Sequence, residues 1–435
     1  MSYTRYFHHL GIESLNAMQD AAIAALHHHR NLMLLSPTGS GKTLAFLLPL
    51  LDFLREGNHG IQALILVPSR ELALQIDDVF RRLRSGHKVS CCYGGHDIRI
   101  EINNLIEPPV VLVGTPGRVL DHLRNSRIQL KGVRMLVLDE FDKCLDFGFA
   151  DEMGAILEHL GDVQTRVLTS ATRIEHLPSF TGVDDVHTLD FISQVVPSGQ
   201  LTLRRVDVWQ ADKLEALLLL VCKLVEARMF VFLNHRDAVE RVARYLNDHG
   251  VVNEIFHGGL DQRDRERTLT LFRNGSCRIL ITTDLAARGL DIPDIDAVIH
   301  YHLPVNAESW THRNGRTARM GAGGTAYVLA LGDEVLPDFI PDDVYRESLP
   351  AEAIIPPQPR WCTLMLNKGR KDKVNKVDVV GFFCQKGGLS KDNIGLIEVK
   401  DNQAYVAVSR AEVLALLKHL RGVPLKGRSV RIQML

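Results

Sequence analysis

No stretch of this sequence approaches the ~20 consecutive apolar residues that span a bilayer, and its start, Met1-Ser2-Tyr3-Thr4-Arg5, lacks the apolar core of a secretory signal. The expectation is a soluble, cytoplasmic protein with no membrane partner. The seven cysteines, at 91, 92, 144, 222, 277, 362 and 384, form no CxxC pair and make an odd count, which argues against a disulfide framework and a zinc site. They are expected as reduced, mostly buried thiols. Short tandem repeats and low-complexity tracts are absent, and nothing resembles a dimerisation coiled coil, so a monomer is expected. Net charge is nearly missing as well, at −1, but it is unevenly spread. Residues 361–435 hold 14 Lys/Arg and 6 Asp/Glu, a net of +8, which leaves −9 for the rest. A basic unit at one end is the footprint of a nucleic-acid or other polyanion contact.

At 435 residues and 46 % hydrophobic, the chain is too long for one core. Apolar strand candidates at 32–36, 63–67, 110–114, 135–139, 166–169, 229–233, 278–282 and 297–301 alternate with helical patterns such as 43–54, 70–83, 237–249 and 262–272. This alternation predicts doubly wound α/β domains with parallel sheets, which bind ligands at the carboxyl ends of their strands. Periodicity weakens around Pro197-Ser198-Gly199, and Ile354-Ile355-Pro356-Pro357-Gln358-Pro359 reads as a stiff spacer. The expected division is 1–190, 200–348, a linker at 349–360 and a third domain at 361–435. In that last part, strands at 363–366, 394–399, 404–408 and 429–433 and helices at 377–384 and 411–420 give a small α+β unit, βαββαβ, of the RRM-like kind.

Ser36-Pro37-Thr38-Gly39-Ser40-Gly41-Lys42-Thr43 lies directly after an apolar strand and opens a helix. A phosphate chain needs closely approaching backbone N–H groups, the positive end of a helix, a lysine for the β/γ-phosphates and a hydroxyl for Mg²⁺, and this segment supplies all of them. Ser36 stands where the strict P-loop begins with glycine. Later, Met135-Leu136-Val137-Leu138 runs into Asp139-Glu140-Phe141-Asp142. Carboxylates at the end of a buried strand are costly unless they hold a cation or do chemistry. Asp139 is assigned to Mg²⁺, partly through water and together with Thr43, and Glu140 to the attacking water. In the second half, His312-Arg313-Asn314-Gly315-Arg316-Thr317-Ala318-Arg319 offers arginines to neutralise charge developing on a γ-phosphoryl group.

Taken in order, these motifs resemble the DEAD-box helicase family over about residues 5–345. Pro68-Ser69-Arg70-Glu71-Leu72 is similar to PTREL, Gly94-Gly95 and Thr115-Pro116-Gly117-Arg118 follow, and Ser170-Ala171-Thr172 is the SAT motif. Residues 231–236 are similar to motif IV, Gln262 and Arg265 to QxxR, 283–291 to TDxAARGxD and 312–319 to HRxGRxxR. The resemblance implies two tandem RecA-like domains, ATP and Mg²⁺ as cofactors, and RNA-stimulated ATP hydrolysis coupled to unwinding. It implies that Gln19 reads adenine and Asp291 holds ribose, while Thr38, Gly39, Ser40, Gly41, Lys42 and Thr43 hold the phosphates. Lys42, Asp139, Glu140 and the fingers Arg316 and Arg319 would be catalytic; Asp142, Ser170, Thr172 and His312 would couple nucleotide to domain closure. Arg70, Gly95, Thr115, Arg118, Gln262, Arg265 and Thr283 would hold RNA phosphates and sugars, which predicts sequence-blind binding by the core.

Four positions depart from the family pattern. Phe141 replaces alanine, His235 stands in place of threonine, the segment before Gln19 lacks its usual proline, and the chain starts too late for the upstream phenylalanine that stacks on adenine, leaving Tyr3, Tyr6 or Phe7 as substitutes. The last 75 residues resemble the DbpA type of RNA-binding domain found in bacterial DEAD-box proteins, through Asn367-Lys368-Gly369-Arg370-Lys371-Asp372-Lys373-Val374, Asn393-Ile394-Gly395-Leu396-Ile397 and Ala404-Tyr405-Val406-Ala407-Val408. That implies a structured target in 23S ribosomal RNA and a pre-50S particle as partner. Tyr405 is the one stacking candidate in its central strand, so recognition is expected to use Lys368, Arg370, Lys371 and Lys373. The alternatives are a general RNA remodeller in messenger-RNA decay or cold response, and an ATP-gated RNA clamp.

Overall fold

The computed structural model describes residues 3–37, 39–57, 60–174, 176–192, 201–209, 212–284, 292, 295–317, 323–332, 334–341 and 344–435. Chain contacts divide it into two compact units, one built on residues 1–197 and one on residues from 198 onward. Among the described residues no helix is long and apolar enough to cross a membrane. The cysteines are free thiols, all buried except the half-buried Cys91 and Cys384.

The first unit holds strands β1 (Asn31–Leu35), β2 (Ala63–Leu66), β3 (Val89–Cys92), β4 (Val111–Gly114), β5 (Met135–Leu138), β6 (Thr165–Ser170) and β7 (His187–Asp190). They form one parallel sheet in the order β3-β4-β2-β5-β6-β1-β7. The central strands are nearly all apolar because both faces are covered. Leu32, Leu34, Ile65, Val113 and Val137 pack on one side with the helices Ala17–His28, Lys42–Phe53 and Arg70–Arg82. Met33, Leu35, Leu64, Leu112, Leu136 and Leu168 pack on the other with Pro116–Arg124, Phe141–Asp146 and Ala150–Leu157. Helix starts are fixed locally: Asn16, Ser69 and Asp97 each accept a backbone N–H from the first turn that would otherwise lack a partner.

The second unit carries another parallel sheet, from β8 (Leu201–Val208), β9 (Met229–Phe232), β10 (Glu254–Phe256), β11 (Ile279–Thr282), β12 (Ala297–His300), β13 (Gly324–Leu331) and β14 (Tyr345–Arg346), in the order β10-β11-β9-β12-β13-β8-β14. Both sheets are RecA-like parallel sheets. The same unit ends in a four-stranded antiparallel sheet of β15 (Trp361–Leu366), β16 (Ile394–Val399), β17 (Ala404–Ser409) and β18 (Ile432–Met434), ordered β16-β17-β15-β18. Cys362, Leu364, Leu366, Val406 and Val408 on one face of this sheet pack against Val379, Phe383, Val413 and Leu416 of its helices.

The other face of the small sheet is covered too. Thr363, Tyr405 and Ala407 are at most 2 % exposed although they point away from that core. Asn274 Nδ2 donates to Thr363 Oγ1 at 2.7 Å, and the Ser276 hydroxyl meets the same oxygen at 2.7 Å. Thr270 Oγ1 donates to Glu398 Oε2 at 3.2 Å, and Lys400 Nζ reaches Glu266 Oε2 at 2.9 Å. The sheet therefore lies on the helix Gln262–Arg273 and the turn that follows it. Tyr405, the one stacking candidate, is packed beneath that helix and has no open face for a base, in line with recognition by the basic segment rather than by stacking.

Candidate active site and nucleic-acid interface

Strand order sorts the loops of the first sheet into two halves. β1, β6 and β5 are neighbours, so the glycine-rich loop after β1, Ser170 at the end of β6 and the acidic run after β5 share one stretch of the sheet edge. Arg70 after β2, Gly95 after β3 and Thr115 and Arg118 after β4 share the rest. Both stretches lie at carboxyl ends of parallel strands, where this architecture binds ligands.

Gly39 and Gly41 have φ of +82° and +89°, which lets the loop after β1 turn sharply into the helix opened by Lys42. Lys42 is 8 % exposed; its Nζ donates to Pro37 O at 3.0 Å and to Ser36 O. Gln19 is buried against this loop. Its Nε2 donates to Gly41 O at 3.0 Å, while its Oε1 accepts the Asn16 N–H at 2.9 Å in a capping box. A Cβ on Gly41 would come within 2.6 Å of Gln19 Nε2 and displace that amide, and the φ of +89° there favours glycine. Thr43 lies in the first turn of the helix; Thr38 falls outside the described residues. Tyr3 and Phe7 are buried in the core, and Tyr6, half-buried, lies under the Arg5 guanidinium, 4.6 Å from its ring centroid.

Asp139 is 3 % exposed, and burial raises its pKa against the opposing pull of a Thr169 hydrogen bond and the Lys42 charge. Glu140 takes left-handed backbone angles, φ 48° and ψ 50°, and its N–H donates to Thr169 Oγ1 at 3.0 Å and Asp139 Oδ1 at 3.2 Å. Thr172 Oγ1 donates to Asp142 Oδ2 at 3.0 Å, and Ser170 Oγ donates to Thr172 O at 2.6 Å. The acidic run and the SAT triplet are thus joined by hydrogen bonds. Phe141 points into the core with no exposure, edge-on to Phe180 at 6.4 Å, so the replacement of alanine is absorbed by packing.

On the other stretch, Gly95 has φ of +92°, and a Cβ there would fall 1.9 Å from Arg70 Nη1. Glu101, fully buried, joins this loop to the next: its Oε1 accepts the Tyr93 N–H at 2.8 Å and lies 3.1 Å from His96 Nε2. Its Oε2 lies 2.5 Å from His122 Nε2 and 3.7 Å from Arg118 Nε. Glu101 and Thr169 were not among the residues picked from the sequence. Neither lies in a recognisable motif, and each acts on partners about 20 or 30 positions away.

In the second unit the segments after β9, β10, β11 and β12 carry the remaining candidates. Arg313 has no exposure; it binds Asp284 through Nε and Nη2, Nη1 donates to His302 O at 2.8 Å, and Nη2 to Asn234 Oδ1 at 2.8 Å. Arg316 is 1 % exposed and His312 6 %. Burial drives the His300 pKa down to about 3, so this ring is neutral, and its Nε2–H donates to Asn314 Oδ1 at 3.0 Å. Arg265 Nη2 donates to Gly258 O at 2.8 Å, Gln262 Nε2 to Glu266 Oε1 at 3.3 Å, and the Thr283 N–H to Phe256 O at 3.4 Å. His235 starts the helix Arg236–Asp248 without a side-chain cap. Asp291 and Arg319 lie outside the described residues. In the third sheet's domain, Arg370, Lys371 and Lys373 are exposed, and Lys368 pairs with Asp372 at 3.1 Å.

Comparison with known proteins finds relatives along nearly the whole chain. Residues 16–178 match the DEAD/DEAH box helicase model, 210–321 the helicase conserved C-terminal domain, and 363–434 the DbpA RNA binding domain. The chain is 32 % identical to the ATP-dependent RNA helicase DbpA of Escherichia coli, over 98 % of its own length and 95 % of that protein's. The chain belongs to the DEAD-box family of ATP-dependent RNA helicases. The ATP-dependent RNA helicase DbpA of Bacillus subtilis is 30 % identical to this helicase, over 97 % of this chain and 95 % of that protein. The S. cerevisiae helicase Dbp5, solved bound to RNA and ADP BeF3, superimposes with a TM-score of 0.68 at 29 % identity, covering 76 % of this chain and 87 % of that one. This chain is accordingly an ATP-binding, RNA-binding helicase.

Proposed function

We propose that this helicase remodels structured 23S ribosomal RNA within a pre-50S particle during large-subunit assembly, acting as a monomer in the cytoplasm. The observation that carries the reading is the C-terminal domain: residues 363–434 match a dedicated RNA-binding family, and the +8 of residues 361–435 contrasts with −9 for the rest. The core contacts assigned above are to sugar and phosphate, so discrimination between RNAs falls to this domain.

The residues around the glycine-rich loop fit a nucleotide with a divalent cation. A fully buried carboxylate whose burial is opposed by a nearby lysine, as at Asp139, is a ready acceptor of positive charge. Asp139 and Thr43 would hold Mg²⁺, partly through water, and the cation would screen the β- and γ-phosphates. In this reading Gly39, Ser40, Gly41 and Lys42 hold the phosphates, with Thr38 beside them; Gln19 reads the base, Asp291 the ribose, and Glu140 orients the attacking water. Arg316 and Arg319 neutralise the charge that develops as the γ-phosphoryl group leaves. Asp142, Ser170, Thr172 and His312 transmit nucleotide state, and Arg70, Gly95, Thr115, Arg118, Gln262, Arg265 and Thr283 grip the RNA backbone. Lys368, Arg370, Lys371 and Lys373 add the contacts that select the target.

The test is ATP hydrolysis stimulated by 23S ribosomal RNA against bulk RNA of equal length. A lower half-saturating concentration for the ribosomal RNA is expected. Equal stimulation by both would point instead to a general remodeller.

A further inference from the structure

Thr169 is a polar residue without exposure on a strand whose neighbours, Val167 and Leu168, are apolar core. The register of β5 and β6 pairs Leu138 with Leu168, so the next step along each strand brings Asp139 and Thr169 side by side. The Thr169 hydroxyl donates its one proton to Asp139 Oδ1 and accepts the Glu140 N–H at 3.0 Å. A hydroxyl can do both at once, and no aliphatic side chain of the same shape can do either. Glu140 is one of few non-glycine residues at positive φ, a backbone state that needs outside support, and Thr169 supplies part of it.

We propose that Thr169 is a positioning residue for ATP hydrolysis: one hydroxyl fixes the Asp139 carboxylate toward the cation and holds the Glu140 turn that aims the second carboxylate at water. This rests on the roles proposed above for Asp139 and Glu140. Neither the helicase motifs nor the core packing calls for a hydroxyl here; the bridge alone does.

The experiment uses the full chain with Thr169→Val, which keeps shape and removes the hydroxyl, and Thr169→Ser, which keeps the hydroxyl. Fluorescent ADP affinity is measured with Mg²⁺ and with EDTA, alongside kcat, KM for ATP and the half-saturating RNA concentration, below the melting midpoint of each variant. Expected for Thr169→Val is a fall in kcat of roughly tenfold or more, a several-fold smaller gain in ADP affinity on adding Mg²⁺, and an unchanged half-saturating RNA concentration. Thr169→Ser should stay within about twofold of the parent on every measure. If the valine chain does not fold, Thr169→Ala carries the same expectation. A valine chain with parental kcat and parental Mg²⁺ gain overturns the proposal, as does a serine chain as impaired as the valine one. Asp139→Asn separates the two levels: if it abolishes the Mg²⁺ gain while Thr169→Val does not, the site stands and the bridge falls. If Asp139→Asn keeps both gain and turnover, the site assignment itself fails.

Discussion

Arg313 and Arg316 belong to one arginine-rich motif and are both buried, but different work is expected of them. Arg313 is spent on Asp284, Asn234 and the His302 carbonyl and lies 5.3 Å over the Phe232 ring, so it ties the loops after β9, β11 and β12 together. Removing the buried Arg313 leaves the half-buried Asp284, Asn234 Oδ1 and the His302 carbonyl without their donor, and Arg313→Ala is expected to lower stability by roughly 1–3 kcal/mol, read from denaturant unfolding. Arg316→Ala should reduce RNA-stimulated turnover by roughly a thousandfold with little change in ATP affinity. Equal loss of affinity and turnover would remove the finger role. A parallel contrast holds in the first unit. Lys42→Ala should weaken nucleotide binding, whereas Glu140→Gln should keep nucleotide and RNA bound while turnover falls by roughly a hundredfold; parental turnover in either variant would remove its catalytic assignment. At this scale the glycine-rich loop and the acidic run were readable because their residues are contiguous. Thr169, which holds Asp139, and Asp284, which holds Arg313, lie 30 and 29 positions from their partners; one borders the SAT triplet and the other falls within 283–291, but neither motif says which residue it pairs with.

Among elements, β1, β2, β5, β9, β11 and β12 could be read as short apolar runs because strands covered on both faces have no polar alternation. β3 carries Ser90 within a four-residue strand, β7 is a half-exposed edge and β10 has only three residues, so none gives a clear pattern. β13 is apolar for most of its eight residues, but such a run does not by itself distinguish a buried strand from a buried helix. The βαββαβ order of the last domain was legible; the covering of its open sheet face was not, since Thr363 and Tyr405 look like ordinary surface positions until the helix Gln262–Arg273 is placed on them. That covering makes a prediction. Asn274 donates to Thr363 at 2.7 Å while its Oδ1 accepts the Ser276 N–H at 3.1 Å, and both groups are buried. Asn274→Ala should cost about 1–3 kcal/mol and expose Tyr405 to solvent, which tyrosine fluorescence quenching would register. No change in either would mean that the two domains separate in solution.

For the whole molecule, the division of charge sets how RNA selectivity should be tested. A chain cut near residue 350 would remove the basic domain but also uncover the helix Gln262–Arg273, and an isolated domain would uncover Thr363 and Tyr405, so truncation alters two surfaces at once. Charge removal in the intact chain alters one. Lys371 and Lys373 are exposed, with Lys373 held at φ 61° by the turn after Arg370–Asp372. If they displace counterions from RNA phosphates, binding falls with salt, and each lysine lost should lower the slope of log affinity against log salt by roughly 1. The double substitution Lys371→Ala with Lys373→Ala should therefore flatten the salt dependence for a structured 23S fragment by roughly 2 and raise its half-saturating concentration in the ATPase assay. Stimulation by bulk RNA should stay at the parental level, because the core's proposed contacts with sugar and phosphate are untouched. A chain that loses affinity for both RNAs equally would make this segment a general anchor, and one that loses neither would move recognition to another surface of the domain.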